Sequence, residues 1–340
     1  YVRRRIKKLE KSGIGFRANF DLRKIGLSTL AVIFKEPLSF DPVTRIKGFD
    51  KNLPYILRWH GNVTFPNPMG IALFYVPYNI EVKDSVMKLL KRCQLPEVIE
   101  AYELNVTQYD DLDLRRELLL NDIKSRWKNL TNKILEESNT YEKPSNLKEI
   151  DTYIESKHID LIDIIILAVL QNNALSTMSE ISNLLGLTIG KINRHLQSHL
   201  ISQRIIDGVS LKKRSITLTD ATNLFLIVKG KTENNTLLEY VIKEISRSIE
   251  FLSAVYNSIT GEYLILLLVK TYDVEKIDKY LHRIFGEVLG GEYFIGVLNK
   301  NSIKSYTIPF ISFNREERNW DLDLQLMDVM RQKLLDILKY

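Results

Sequence analysis

The chain has 340 residues, 45% hydrophobic and 26% charged, with 15 Gly, 9 Pro and a net charge of +6. This composition excludes collagen-like and low-complexity classes and predicts two to three globular domains. The single Cys, Cys93, excludes an intrachain disulfide framework and a Cys-based zinc site, and the apolar runs at 161–170 and 263–269 fall short of the roughly 20 residues that span a bilayer.

The chain starts at Tyr1 rather than Met, which reads as a truncated or processed N-terminus, and no secretory signal opens it. A reduced, cytoplasmic setting without membrane contact is expected. Residues 1–11 carry Arg3, Arg4, Arg5, Lys7, Lys8 and Lys11 against Glu10 alone. Val2, Ile6 and Leu9 form an apolar stripe there, so the basic residues share the opposite helical face. Gly13-Ile14-Gly15-Phe16 then leads into a strand. Residues 28–36 are β-branched and apolar, and read as a strand. Residues 41–52 read as a helix on Val43, Ile46 and Phe49. Residues 55–65 and 70–78 read as strands, 82–93 as a helix on Val82, Val86, Leu89, Leu90 and Cys93, and 96–107 as a strand. The order is βαββαβ. Arg58, Trp59 and His60 are expected to pack on their sheet rather than to line a pocket.

Residues 112–137 form a helical seam of Leu118, Leu119, Ile123, Trp127, Leu130 and Ile134, read equally as a brace, a dimer seam or a solvated connector. Residues 138–145, with Pro144, read as a linker. A helix over 161–171 buries Ile164, Ile165, Leu167, Ala168 and Val169. A short helix over 179–185 has Ser176, Thr177 or Ser179 as its cap and ends at Gly186. Thr188 caps a third helix that runs to about Leu200, with Ile192, Leu196 and Leu200 facing inward. Gly190, Lys191, Asn193, Arg194, Gln197 and Ser198 face outward. Residues 205–211 read as a short hairpin turning at Asp207-Gly208. Three helices, a tight turn and a two-stranded wing make a winged helix-turn-helix.

The same strand and helix order then recurs. Strands are expected at 223–231, 251–260, 262–271 and 291–300, and helices at 235–249 and 273–285. Two βαββαβ units imply two ferredoxin-like domains, an architecture that names no function by itself. Residues 320–338 read as a closing amphipathic helix.

The charge points to nucleic acid. Residues 188–214 hold Lys191, Arg194, Arg204, Lys212, Lys213 and Arg214 against Asp207 alone, so the two short basic clusters hold the surplus of the chain. An α-helix fits the major groove, where Asn and Gln bond adenine edges and Arg bonds guanine or phosphate. A shift of 190 positions lays Arg4 on Arg194 and Ile6 on Leu196. The alternative is a winged helix that contacts protein, such as transcription machinery. Gly186 to Lys191 resembles a phosphate loop but lacks its spacing. His195 and His199, four apart, make a two-ligand metal face with no carboxylate nearby in sequence, so they are expected to face solvent or DNA. No metal or cofactor is expected.

The run RRRIKKLEKSGIGFRANFDLRKIGL at 3–27 resembles the recognition helix, wing and following strand of the Lrp/AsnC family of prokaryotic transcription regulators. The run IDLIDIIILAVLQNNALSTMSEISNLLGLTIGKINRHL at 159–196 resembles the family's leading helices. The resemblance covers nearly the whole chain, twice, outside 110–158 and 313–340. It implies a winged helix-turn-helix before each βαββαβ domain, double-stranded DNA as partner, and an effector such as an amino acid. The family's Gly-acid-aromatic-Asp motif is matched by Gly261, Glu262 and Tyr263, with Leu264 in place of the Asp; Gly61-Asn62-Val63 matches poorly. The tandem form implies a fused dimer.

The expected fold class is therefore α+β, two copies of winged helix-turn-helix plus ferredoxin-like domain, the first copy incomplete. The expected divisions are 1–25 (partial winged helix), 26–109 (ferredoxin-like), 110–157 (helical linker), 158–214 (winged helix), 215–312 (ferredoxin-like) and 313–340 (terminal helix). The expected function is a sequence-specific DNA-binding regulator, a homodimer or an intrachain pseudo-dimer. Some relatives of this fold decarboxylate haem precursors, but no carboxylate pair, nucleophile or metal cluster is legible, so no enzyme is expected. The DNA-binding set is Arg3, Arg4, Arg5, Lys7, Lys8, Thr188, Lys191, Asn193, Arg194, Gln197, Lys212, Lys213 and Arg214.

Overall fold

The computed structural model describes residues 15–38, 57–78, 86, 96–109, 122–138, 159–212, 222–305, 307–310, 313–316 and 318–320. The expected helices at 41–52 and 82–93, bar Val86, and at 321–338 lie outside these residues, as does the basic cluster at 1–11.

The first strand, β1 (Gly15–Phe20), leads into a 3-10 turn at Leu22–Ile25. Asp21 caps that turn by accepting from the Arg23 N–H at 3.0 Å. Next come β2 (Leu27–Phe34), β3 (Leu57–Phe65), β4 (Met69–Pro77) and β5 (Val98–Leu104). The strand expected over 96–107 breaks at Asn105 and resumes as β6 (Val106–Tyr109). Helix α1 (Ile123–Ser138) precedes the helix-turn-helix, which is α2 (Leu161–Asn172), α3 (Met178–Leu185) and α4 (Ile189–Arg194). The last continues as a π-helical stretch, His195–Ile201, before β7 (Ile206–Lys212). The second half comprises β8 (Asn223–Lys231), α5 (Asn235–Ser246), β9 (Phe251–Tyr256), β10 (Glu262–Lys270), α6 (Val274–His282) with a π extension at Arg283–Val288, and β11 (Glu292–Leu298). Three two-residue strands follow: β12 (Lys304–Ser305), β13 (Phe313–Asn314) and β14 (Asn319–Trp320). Trp320 thus lies in a strand pair, not at the head of a helix, because its indole packs edge-on to Phe313 and donates to the Ile25 carbonyl.

The strand order is β5-β2-β4-β3 in the first half and β11-β8-β10-β9 in the second. Each places its four strands in the antiparallel order 4-1-3-2. The halves join reciprocally: β6 leaves the first half to pair with β9, and β12 leaves the second to pair with β3, where β11 also sits. One core is shared between the halves, with Ala31, Val63, Ile71 and Leu73 against Phe225, Ile227, Val255, Leu264 and Leu266.

Strand alternation explains the continuous apolar run of β10. Leu264 and Leu266 enter the core between the halves, whereas Tyr263, Ile265, Leu267 and Val269 face α5 and α6. A strand covered on both faces has no polar side. Helix α1 belongs to this second core: Ile123, Trp127, Leu130 and Ile134 are buried in it, and Lys133 pairs with Glu244 at 2.7 Å. The solvated-connector reading is therefore corrected.

The winged helix is built from local signals. Asp160 and Asp163 form a capping box on α2, and Thr177 and Glu180 form one on α3. Gly186 closes α3 at φ 63°, a left-handed conformation that favours glycine. In α2, Ile166 is fully buried, while Ile165 and Val169 are only partly so.

The expected wing hairpin does not form. Residues 206–212 continue through Asp207-Gly208 as one strand that pairs antiparallel with β1, from Gly15 opposite Lys212 to Phe20 opposite Ile206, with a register shift that leaves Asp207 as a bulge. Arms of two or three residues cannot stabilise a hairpin alone, whereas β1 offers a full-length partner. The pairing brings Ala18, Phe20, Leu22, Ile25 and Leu27 into one core with Ile164, Leu167, Ile181, Ile192 and Leu200.

Candidate nucleic-acid interface and an arginine-lined pocket

On α4 and its π-helical continuation the outward face is as the periodicity predicts. Lys191, Asn193, Arg194, Gln197 and Ser198 are exposed, while Ile192 and Leu200 are buried and Leu196 is half-buried. Thr188 caps the helix, its hydroxyl accepting from the Lys191 N–H at 3.3 Å. Among the described residues, the side chains of Lys191, Asn193, Arg194 and Gln197 have no hydrogen-bond or ion-pair partner, so all four are available to a ligand. Beside them stand two exposed apolar side chains, Leu184 at 68% and Ile189 at 52% exposure. Lys212 lies at the end of β7, its backbone opposite Gly15. Arg3, Arg4, Arg5, Lys7, Lys8, Lys213 and Arg214 lie outside the described residues.

The two histidines depart from expectation. His195 is 2% exposed, so it faces neither solvent nor DNA. Its Nδ1 stands 2.9 Å from Oδ1 of the fully buried Asp163, and Nδ1 of His199 stands 2.9 Å from Oδ2 of the same carboxylate. Asp160 Oδ1 is 3.6 Å from His195 Nδ1. The carboxylates that sequence proximity lacked come from the first turn of α2.

A cavity of about 140 Å³ opens where the two sheet halves meet the end of α2. Its floor is apolar, with Leu73, Val255, Leu264 and Leu266, and its rim carries Arg17, Arg58, Trp59, Gln171 and Asn172. Arg58 and Trp59 thus line a pocket after all, because the register of β3 against β4 shifts between Leu57 and Trp59 and lets these two neighbours share one side. Arg58 donates to the Thr29 hydroxyl and, at 3.0 Å, to that of Thr107, and its guanidinium lies 5.6 Å above the Tyr75 ring. Arg17 donates from Nε to Ser210 on β7 at 2.9 Å, and to the Leu252 carbonyl at 3.3 Å. Gln171 ties the wall together, donating to the Tyr75 hydroxyl at 2.9 Å and accepting from the Ile308 N–H at 2.9 Å. No carboxylate lines the cavity among the described residues. Two guanidiniums over an apolar floor suit a small anion with an apolar body. Arg17 and Arg58 stand in strands without a motif, so only their convergence marks them.

Gly261, Glu262 and Tyr263 lie elsewhere. Gly261 turns β9 into β10 at φ 76°. Glu262 pairs with Lys231 at 3.2 Å. Tyr263 is fully buried, stacked on Phe285 with ring centroids 5.6 Å apart, and burial pushes its phenol above the usual range. These residues build a turn and a core, and none of them lines the cavity between the sheet halves.

Residues 159–198 match the winged helix-turn-helix DNA-binding family. No curated protein sequence matches the chain. Among solved structures, siroheme decarboxylase NirDL in complex with an iron-uroporphyrin III analogue is similar at 13% identity, covering 98% of this chain and 88% of that one, with a TM-score of 0.47. A methionine complex of a transcriptional regulator from Neisseria meningitidis is 19% identical over 44% of this chain and 95% of its own, with a TM-score of 0.31. A Pyrococcus furiosus regulatory protein of the AsnC family is 23% identical over 41% of this chain and 89% of its own, with a TM-score of 0.26. The expectation that the chain is not an enzyme is corrected by these findings: two solved structures that are similar over 98% of it are of a decarboxylase. The identities are 12–13% and the TM-scores 0.47 and 0.49. The similarity withdraws the exclusion and assigns no reaction. Among the described residues, no helix is long and apolar enough to cross a membrane.

Proposed function

We propose that this chain is a sequence-specific double-stranded DNA-binding regulator, a fused pseudo-dimer of winged helix and ferredoxin-like units divided near residues 25, 109, 157, 214 and 312. The observation that carries it is the face of α4 and its π-helical continuation, where Lys191, Asn193, Arg194 and Gln197 are exposed and unpaired within a segment that matches a DNA-binding family. Asn and Gln read adenine, Arg reads guanine, and Lys191 at the start of the helix meets phosphate. The reciprocal strand exchange supports the pseudo-dimer reading, in which residues 3–8 form a second reading head. Paired heads of this kind sit on half-sites about 34 Å apart.

Selection from a random duplex pool, followed by titration of the selected site, tests this. Arg194→Ala is expected to weaken specific binding by about 1–3 kcal/mol, and affinity is expected to fall steeply with salt as counterions are released. Unchanged affinity in both Arg194→Ala and Arg4→Ala overturns the reading. Exposed Leu184 and Ile189 favour a second reading, a protein partner on the same face; absence of duplex binding at low salt selects it.

The cavity supports regulation by a small carboxylate, such as an amino acid, held by Arg17 and Arg58. It touches α2 through Gln171 and β7 through the Arg17–Ser210 bond, so an occupant bears on the winged helix. Saturation at 100 times Kd raises stability by about 2.7 kcal/mol. A thermal-shift screen of amino acids is expected to find a stabilising ligand whose effect is lost in Arg58→Gln. A shift retained in that variant moves the effector elsewhere.

A further inference from the structure

We propose that Asp160, Asp163, His195 and His199 bind one divalent transition-metal ion, of the Zn²⁺ class, that clamps the third helix of the winged helix to its first. The four donor atoms lie within 4.8 Å of one another. His195 Nδ1 lies 2.9 Å from Asp163 Oδ1 and 3.6 Å from Asp160 Oδ1, separations that bracket the roughly 3.3 Å edge of a tetrahedron with metal–ligand bonds near 2.0 Å, and His199 Nδ1 lies 2.9 Å from the other oxygen of Asp163, Oδ2. Two imidazoles and two carboxylates give a neutral site for a doubly charged ion. Imidazole nitrogen favours Zn²⁺, Co²⁺ or Ni²⁺ over Mg²⁺ or Ca²⁺, which prefer oxygen alone.

The surroundings are those of a built site. Asp160 Oδ1 accepts from the N–H groups of Ile162 and Asp163 at 2.9 and 3.1 Å, and Asp163 Oδ2 accepts from the N–H of Asp160 at 3.0 Å. The capping box therefore holds both carboxylates in place, the role that supporting hydrogen bonds play around metal ligands. Asp163 and His195 are buried, while His199 and Asp160 are 27% and 38% exposed at their side chains and give the ion a path in. Without metal, each Nδ1–H bonds Asp163; on ligation, each ring takes its other neutral tautomer. The buried Nε2 of His195 has no partner, so it is an unmatched acceptor without metal and an unmatched donor on ligation. The ligand pairs come from two helices about thirty residues apart in sequence, so the ion crosslinks α2 to the helix bearing Arg194. This holds whatever partner the outer face of that helix meets.

The test uses the full chain, stripped with chelator, dialysed and titrated with Co²⁺, then with Zn²⁺ in competition. One equivalent of Co²⁺ is expected, with the intense visible bands of four-coordinate cobalt, bleached by Zn²⁺. His199→Gln keeps a donor for Asp163, and Asp160→Asn keeps the helix cap. Both are expected to fold, as far-UV circular dichroism would report, and to lose the bands. His282→Ala, at an exposed histidine on α6, is expected to keep them. Uptake below one equivalent, or bands that survive in both folded site variants, overturns the proposal and leaves the cluster as a hydrogen-bonded brace.

Discussion

Trp127→Ala is expected to destabilise the chain by about 3–5 kcal/mol, the range for truncating a buried tryptophan. The ring is fully buried in the core of the second half, with Leu130 and Ile134 of its own helix and residues of α5 and α6 around it. Its indole N–H donates to Glu250 Oε2 at 3.3 Å, and Arg126 pairs with Oε1 of the same carboxylate at 2.6 Å. Truncation opens a cavity and removes one donor from a nearly buried acid, and both effects destabilise. Urea unfolding measures it, with the exposed Lys124→Ala as control within about 0.5 kcal/mol. A loss below 1 kcal/mol for Trp127→Ala would mean that α1 is a solvated connector.

Gly261→Ala is expected to cost about 2–4 kcal/mol, from left-handed strain and overpacking together. At φ 76° an alanine is strained, and its Cβ would collide with the Thr232 carbonyl oxygen, which faces the turn because the Thr232 N–H bonds the Gly261 carbonyl at 3.1 Å. Gly190→Ala is the contrast. That Cβ would meet open space on a helix, so the change is expected to be neutral or stabilising by up to about 1 kcal/mol. Equal thermal midpoints for the two variants would remove the turn argument. The glycine that resembles part of an effector motif thus has a sufficient backbone reason to be glycine.

Much of the architecture is legible in local pattern. Strand β8, Asn223–Lys231, covers its apolar run at 224–228 and extends one residue before it and three beyond it, as expected. Thr177, Gly186 and Thr188 bound their helices as their chemistry dictates. The exposed set on α4 follows from the spacing of Ile192, Leu196 and Leu200 alone. Errors cluster where local signals compete with distant partners. Asp207-Gly208 is a strong turn signal, yet six pairings with β1 keep the segment a single strand and reduce the signal to a bulge at Asp207. Trp320 sits on an amphipathic pattern, yet Phe313 and the Ile25 carbonyl hold it in a strand.

The sequence by itself determined the kinds of element, their caps and the outward basic face, because periodicity and capping act over a few residues. The tertiary structure decided which elements meet. The β1–β7 pairing, the exchange of β6 and β12, the meeting of Arg17 with Arg58, and the closure of Asp163 on His195 and His199 all join residues 32 to more than 190 apart. A two-residue or 3.6-residue period records which side of an element is buried, but not against what. That choice rests on shared apolar burial and on satisfying buried polar groups, and both exist only once the chain is folded.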